Sequence, residues 1–397
     1  MTDDPRTQLL FVTSYTGLGG GETDLVTLAS HLDSSRFNPH LLVPAEGQLS
    51  ERWRASGWPV HIAAWRGATT YFIPALWALL PISHKIVSLI REHNIHLVHS
   101  DYHTLPMALP AARRAHVPII WTCWGWWFHP KWWQRNFFKQ LDTIFARSKA
   151  IKDGFLGDPP FMPPDDVHLL YSGVDTDRFH PDVDGIRLRF ENNLPIDAPV
   201  VALIARFQDV KGHDVFQAMA RQVALQVPAV RFIVAGENID AGSAGDRYKQ
   251  QILVNAQTEP LLRSRLKYLG FRADTERVIA AADVVVCSSH FESYGIVNVE
   301  AMASGKPVVS TNRGGPSETV VHHETGFLVE PGDAAGLARW VIELLRDADL
   351  RARMGAAGRE RVERHFSARH MADEFTRVLD KLLYLSVFLG VLGVFAV

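Results

Sequence analysis

Glu292 and Glu300 stand eight residues apart in FESYGIVNVEAMASGKPVV (291–309), a run that starts polar and then takes on helical spacing. On a helix that interval returns two carboxylates to roughly one face. Arg206 and Lys211 stand five apart in ARFQDVKG (205–212), where an apolar run gives way to a polar loop. Two cations at the mouth of a parallel sheet can neutralise a diphosphate, and Gly212 would let the backbone come close. The same two side chains also suit an ordinary solvated surface. Arg313-Gly314-Gly315 follows another apolar run, and its backbone N–H groups could hold phosphate oxygens. Carboxylates pair with vicinal hydroxyls and cations with phosphates. A nucleotide sugar offers both.

A second glycine loop, TGLGGGETD (16–24), lies between a strand-like run and a helical one. Gly17 and Gly19 begin a dinucleotide fingerprint, but its sixth position is Glu22. A carboxylate there favours the helix start and repels a docked pyrophosphate. The favoured reading is a loop whose Gly19, Gly20 and Gly21 backbone approaches a neutral ligand such as a sugar; a plain tight turn and a dinucleotide site are the alternatives.

The elements that would position these residues alternate in both halves. LLFVTSY, PHLLVP, IHLVHS and VPIIWTC read as strands in the first half, and PVVALIAR, RFIVAGE, LKYLGF, DVVVCSS and KPVVSTN in the second. Helical patterns separate them, as in GETDLVTLASHL and HDVFQAMARQVAL. Continuous apolar strands indicate a parallel sheet covered on both faces. The length of 397 residues and 47% hydrophobic content fit two packed domains, and the polar stretch 180–199 reads as their hinge. A net charge of −2 gives no field for nucleic acid, so none is expected as a partner. Cys123 and Cys287 fit no metal or redox spacing and read as buried thiols of a reducing compartment. The N-terminus carries no secretory signal pattern.

Taken together, GGGE (19–22), YSGVDTDRF (171–179), ARFQDVKG, FIVAGE (232–237) and the spaced-glutamate motif resemble the retaining glycosyltransferases of the GT-B fold, family 4-like, also called group 1. The resemblance runs from about residue 8 to about residue 380. It implies an α/β architecture of two Rossmann-like, doubly wound parallel-sheet domains facing an interdomain cleft. The expected bounds are 1–182 for the acceptor-side domain and 183–365 for the nucleotide-sugar domain. A C-terminal helix, 366–383, would return to the first domain, and 384–397 would form an apolar tail. The implied donor is a nucleotide-diphosphate sugar, with no cofactor and no metal. The implied acceptor is a glycan or lipid-linked molecule of cell-envelope or polysaccharide biosynthesis. By the same resemblance, Arg206 and Lys211 bind the diphosphate and stabilise the leaving group, Glu300 holds the ribose hydroxyls, and Glu292 contacts the sugar near its reacting centre. Gly314 and Gly315 approach the donor through N–H groups, and Gly19–Gly21 face the acceptor. Asp175 is expected to be structural. The chain departs from the family where a histidine commonly precedes a glycine: Trp124 stands before Gly125. His99 and His103, on a neighbouring strand end, are candidate substitutes. A nucleotide-sugar epimerase and a donor-binding protein without turnover are the alternatives.

The run WTCWGWWFHPKWWQRNFFK (121–139) holds six of the chain's eleven tryptophans. Trp121 and Trp124 read as core or cleft. Trp133, Phe137, Leu141 and Ile144 recur at helical spacing, and 131–152 carries six basic residues, Arg147 among them, against Asp142. An aromatic belt with a basic face is the signature of a helix on an anionic membrane; packing on the sheet is the alternative. The sixteen uncharged residues from Leu382 to Val397 are expected to add a second, shallow anchor, because at about 1.5 Å per residue they fall short of a ~30 Å hydrocarbon core. The expected location is cytoplasmic, peripheral or C-terminally anchored at the inner face of the plasma membrane.

Overall fold

The computed structural model describes residues 4–65, 81–125, 130–238 and 244–391. The chain divides into two compact units. The first comprises residues up to Gly173 together with those from Ala368, and the second runs from Val174 to Ser367.

Among the described residues, the first unit holds seven strands: β1 (Thr7–Val12), β2 (Phe37–Val43), β3 (Val60–Ile62), β4 (Ile95–Ser100), β5 (Ile119–Cys123), β6 (Thr143–Ala146) and β7 (Val167–Leu169). Their spatial order is β3-β2-β1-β4-β5-β6-β7, all parallel. Side chains alternate across the sheet, as a two-residue period requires. Leu10 and Val12 of β1 face one core, with Ile86, Ile119 and Phe138. Leu9 and Phe11 face the other, with Leu25, Leu28 and Trp53. That second core also takes Met371, Phe375 and Leu379 from the C-terminal helix, Ala368–Val391.

The second unit repeats the plan with β8 (Val200–Ile204), β9 (Arg231–Ala235), β10 (Leu266–Gly270), β11 (Val284–Cys287), β12 (Val308–Thr311) and β13 (Gly326–Val329). The order is β10-β9-β8-β11-β12-β13, again parallel. β11 and β12 are buried throughout, which is why they read as unbroken valine-rich runs.

The junction at Gly173/Val174 lies ahead of the expected 182/183 boundary. The intervening segment is fastened to the second unit. The Val174 N–H reaches the Phe366 carbonyl at 2.9 Å, and Arg359 donates to the Phe179 carbonyl at 2.7 Å. Asp175 closes a turn by accepting from the Asp177 and Arg178 N–H groups.

The helix expected to carry Trp133, Phe137, Leu141 and Ile144 on one membrane-facing side does not exist in that form. The helix is short, Trp132–Phe138, and Ile144 lies on β6. Phe137, Phe138, Leu141 and Ile144 pack in the core with Trp121, whose ring stacks on Phe138 at 4.9 Å. Phe137, Phe138, Leu141 and Ile144 are taken up by the sheet, where burial removes their apolar surface from water. The indoles at 126 and 127 and residues 392–397 of the apolar tail lie outside the described residues. Among the described residues, no helix is long and apolar enough to cross a membrane.

Three imidazoles meet beside the β2–β3 edge. His40 Nδ1 lies 3.1 Å from His61 Nε2, and the His61 and His93 ring centroids are 4.7 Å apart. Burial, reinforced by the neighbouring imidazoles, pushes His40 down to about 3 and His61 down to about 4. Asp4, Arg6, Lys85 and Glu92 supply the remaining nearby charge. Both rings are therefore neutral in the folded chain but take up protons when unfolded, near a pH of about 6.5. Stability is complete above that value and falls as pH drops towards about 3. Between pH ~6.5 and ~5, His40 alone should cost about 2 kcal/mol. Urea unfolding across that range should show the midpoint falling with acid, and His40→Gln should flatten the slope. An unchanged slope in His40→Gln would show that the cluster does not govern acid stability.

Candidate functional site

In the second unit the strand order reverses between β8 and β11, and the polar loops after these two strands lie side by side. Lys211 follows β8 and Glu292 follows β11; Lys211 Nζ donates to Glu292 Oε2 at 2.6 Å, with both side chains mostly buried. Ser289 Oγ donates to the same carboxylate oxygen at 3.2 Å. Gly212 has a φ of +62°, and a Cβ there would stand 2.1 Å from the Ser288 carbonyl oxygen, so only glycine lets the two loops touch. The third loop, after β12, closes on the same point. Gly314 has a φ of +80°, and its would-be Cβ lies 2.0 Å from the Glu292 carbonyl oxygen. The Gly315 N–H donates to that oxygen at 2.9 Å. Sequence reasoning offered the Gly315 N–H to a phosphate, whereas the structure commits it to binding the loops together.

Arg206 is exposed, and no side-chain partner is seen for it among the described residues. Its carbonyl accepts from His213 Nε2 at 2.9 Å, and the His213 ring stacks on Phe207 with centroids 4.4 Å apart. The cation-bearing loop is thus held from behind by a buried imidazole.

Glu292 and Glu300 do not share a helical face. The helix is Ile296–Ala303, so Glu292 precedes it, in an extended bridge to Gly314. Glu300 alone is helical. It keeps a partly exposed surface, yet burial of its carboxyl pushes it up to about 7, against the pull of Arg178.

In the first unit, Gly19–Gly21 opens the helix Gly20–His31, and Glu22 Oε2 accepts from the Gly19 N–H at 3.0 Å. Trp124 lies across this loop: a Cβ on Gly21 would meet its ring at 3.8 Å. Its Nε1 donates to Asp24 Oδ2 at 3.1 Å. The same carboxylate oxygen lies 2.5 Å from Arg147 Nη2, and the guanidinium sits 5.7 Å from the Trp124 ring centroid. Arg147 is 1% exposed, so it is not part of the basic surface that its place in 131–152 indicated. His99 is 2% exposed and bonded to Thr122, with burial holding it down to about 3, so its ring is closed off from solvent. His103 is instead paired with Tyr15, Nε2 to hydroxyl, at 2.9 Å.

Two family models match consecutive parts of the chain: "Glycosyltransferase Family 4" over residues 18–178 and "Glycosyl transferases group 1" over 185–361. The chain belongs to the group 1, family 4-like glycosyltransferases. The solved structure of Anabaena Alr3699/HepE in complex with UDP and glucose matches with a TM-score of 0.78 at 23% identity, covering 94% of this chain and 100% of that one, and shares the GT-B fold. Alpha-maltose-1-phosphate synthase of Mycolicibacterium smegmatis is 30% identical over 63% of this chain and 66% of its own length. The lipopolysaccharide core biosynthesis glycosyltransferase LpsE of Rhizobium meliloti is 33% identical over 48% of this chain and 52% of its own. The chain thus spans about half to two thirds of the length of the latter two relatives.

Within this glycosyltransferase, the residues that sequence reasoning missed are those defined by contact. Ser289, His213, Asp24 and Tyr15 carry no motif of their own. Tyr15 stands directly before the glycine loop and Asp24 at its end, but neither position signals its contact. The buried Asp24–Arg147 pair yields a direct test. Arg147→Met leaves a buried carboxylate uncompensated and should cost about 3–5 kcal/mol in urea unfolding. Adding Asp24→Asn should recover a large part of that loss. A double variant that loses as much as the two single changes summed would show that the side chains are not coupled.

Proposed function

We propose that this glycosyltransferase moves a sugar from a nucleotide-diphosphate sugar to a hydroxyl of a glycan or lipid-linked acceptor, with retention at the anomeric carbon. The observation that supports it most is the Lys211–Glu292 pair beside exposed Arg206, at the strand-order reversal of the second unit. Open parallel sheets bind ligands at such a reversal. Cleaving the anomeric C–O bond leaves its electron pair on the nucleoside diphosphate and positive charge on the sugar. Arg206 and Lys211 offer fixed positive charge to that diphosphate. Lys211 is paired with Glu292, so an arriving diphosphate exchanges one anion for another at the ammonium group and frees the Glu292 carboxylate for the sugar. Glu300 accepts from the ribose hydroxyls. The UDP and glucose bound by the Anabaena protein make UDP-glucose the first donor to try.

Arg206→Ala and Lys211→Ala should each lower turnover of UDP-glucose at least tenfold, on the scale of losing one charge-stabilising donor. Wild-type rates in both would remove the diphosphate assignment, and donor binding without any turnover in the native chain would leave a binding protein. Calorimetric affinity for UDP should rise between pH 6 and 8, because Glu300 must shed its proton, near pH 7, to accept from two hydroxyls. Glu300→Gln should bind more weakly and lose this part of the pH dependence, the rest belonging to the nucleotide's own phosphate. A slope identical in Glu300→Gln and the native chain would refute the ribose role.

A lipid-linked acceptor is supported by the outer side of the helix Trp132–Phe138. Trp132 is 77% exposed, and Lys131, Arg135 and Lys139 are exposed beside it. Cations near an anionic surface contribute about 1 kcal/mol each. Flotation should therefore favour anionic over neutral liposomes, and Lys131/Arg135/Lys139→Glu should remove the preference. Equal recovery with both vesicle types would exclude an anionic membrane partner.

A further inference from the structure

In the first unit the strand order reverses between β1 and β4, which makes the crevice beyond their carboxyl ends that unit's natural ligand position. The two loops meet there over Asp101, which is 6% exposed. Its carboxylate accepts from Thr13 Oγ1 at 2.8 Å, the Ser14 N–H at 2.7 Å and the Thr104 N–H at 2.7 Å. Above this joint stands Tyr15, 47% exposed, with His103 edge-on to its ring at 5.5 Å. The pair bridges the loop after β1 and the loop after β4.

The hydrogen bonds fix which way this pair points. His103 Nδ1 is buried and has no hydrogen-bond partner among the described residues. A buried orphan lone pair is tolerated better than a buried orphan N–H. The network therefore assigns the proton to Nε2, which donates to the Tyr15 oxygen. The phenol hydrogen is then free to donate outward. Burial, with Asp101 and Glu22 adding to it, holds the Tyr15 hydroxyl above its ordinary value, so it stays a donor at working pH. The two carboxylates also oppose an anion at this point.

We propose that Tyr15, aimed by His103, donates to a hydroxyl of a neutral sugar or cyclitol ring, so that this crevice reads the ring of the acceptor and not a phosphate or carboxylate that the acceptor carries. The inference rests on the first unit receiving the acceptor, as in the function proposed above. Tyr15 makes the contact, and His103 is a positioning residue. Neither role follows from the glycine loop, and together they supply a polar group on the acceptor side, beyond the loop that Trp124 covers.

Saturation-transfer NMR on the full chain, without nucleotide, tests this with methyl α-D-glucopyranoside, myo-inositol and glucose 1-phosphate as separate probes. The native chain should saturate both neutral rings more strongly than the phosphate. Tyr15→Phe should lower the neutral signals at least fivefold while the melting temperature holds. His103→Leu should lower them as well. His103→Gln should restore most of the signal, because an amide N–H can replace the Nε2 bond. Tyr384→Phe, exposed on the C-terminal helix, should change nothing. Equal signals in Tyr15→Phe and the native chain, no neutral signal at all, or a preference for glucose 1-phosphate would overturn the proposal. The readout needs no donor. No turnover of any nucleotide-diphosphate sugar with neutral binding intact would sink the proposed function alone, and the reverse result would sink only the Tyr15 assignment.

Discussion

A parallel strand has to be covered on both faces, and this constraint organises each unit. Crossover helices lie over the sheet faces, and every strand runs in the same sense, so the loops after the strands gather along one edge. Only where the strand order reverses do two neighbouring loops leave in opposite directions and open a crevice. β1 with β4 and β8 with β11 are those places. The loops there carry Tyr15, His103, Arg206, Lys211 and Glu292, and the apolar strands behind them carry none of the chemistry.

Charge is handled in two ways around the strand ends. The Asp24–Arg147 pair is sealed, with Arg147 1% exposed and Trp124 tied to the same carboxylate. Such a pair contributes little net stability against an apolar replacement, but it fixes the geometry of whatever bonds to it. The Lys211–Glu292 pair keeps part of its surface open, at 19% and 17%. Both of its charged groups therefore remain reachable from solvent. The glycines serve both arrangements by letting backbone touch backbone, as Gly212 does against Ser288 and Gly314 against Glu292.

The tryptophan-rich stretch shows how one composition divides into several tasks. Trp121 is 2% exposed and belongs to the core of the sheet. Trp124, three residues on and past the strand end, lies over the glycine loop. Trp132 points into solvent amid lysine and arginine. A periodicity drawn through 133, 137, 141 and 144 joined a helix to a strand, because apolar residues at three- and four-residue intervals also arise where a short helix turns straight into a buried strand.

The sequence by itself determined the α/β alternation, most strand positions, and the segments that hold Arg206, Lys211 and Glu292, because buried parallel strands and glycine loops leave local composition signals. Only the tertiary structure decided that Glu292 precedes its helix and pairs with Lys211, that Gly315 spends its N–H on Glu292, and that His99 is buried while His103 meets Tyr15. The same holds for Arg147, which looks like a surface cation in its own stretch and becomes a buried partner of Asp24, more than a hundred residues away. Each of these outcomes depends on which distant loop arrives at a strand end. Sheet order sets that, and no local pattern records it.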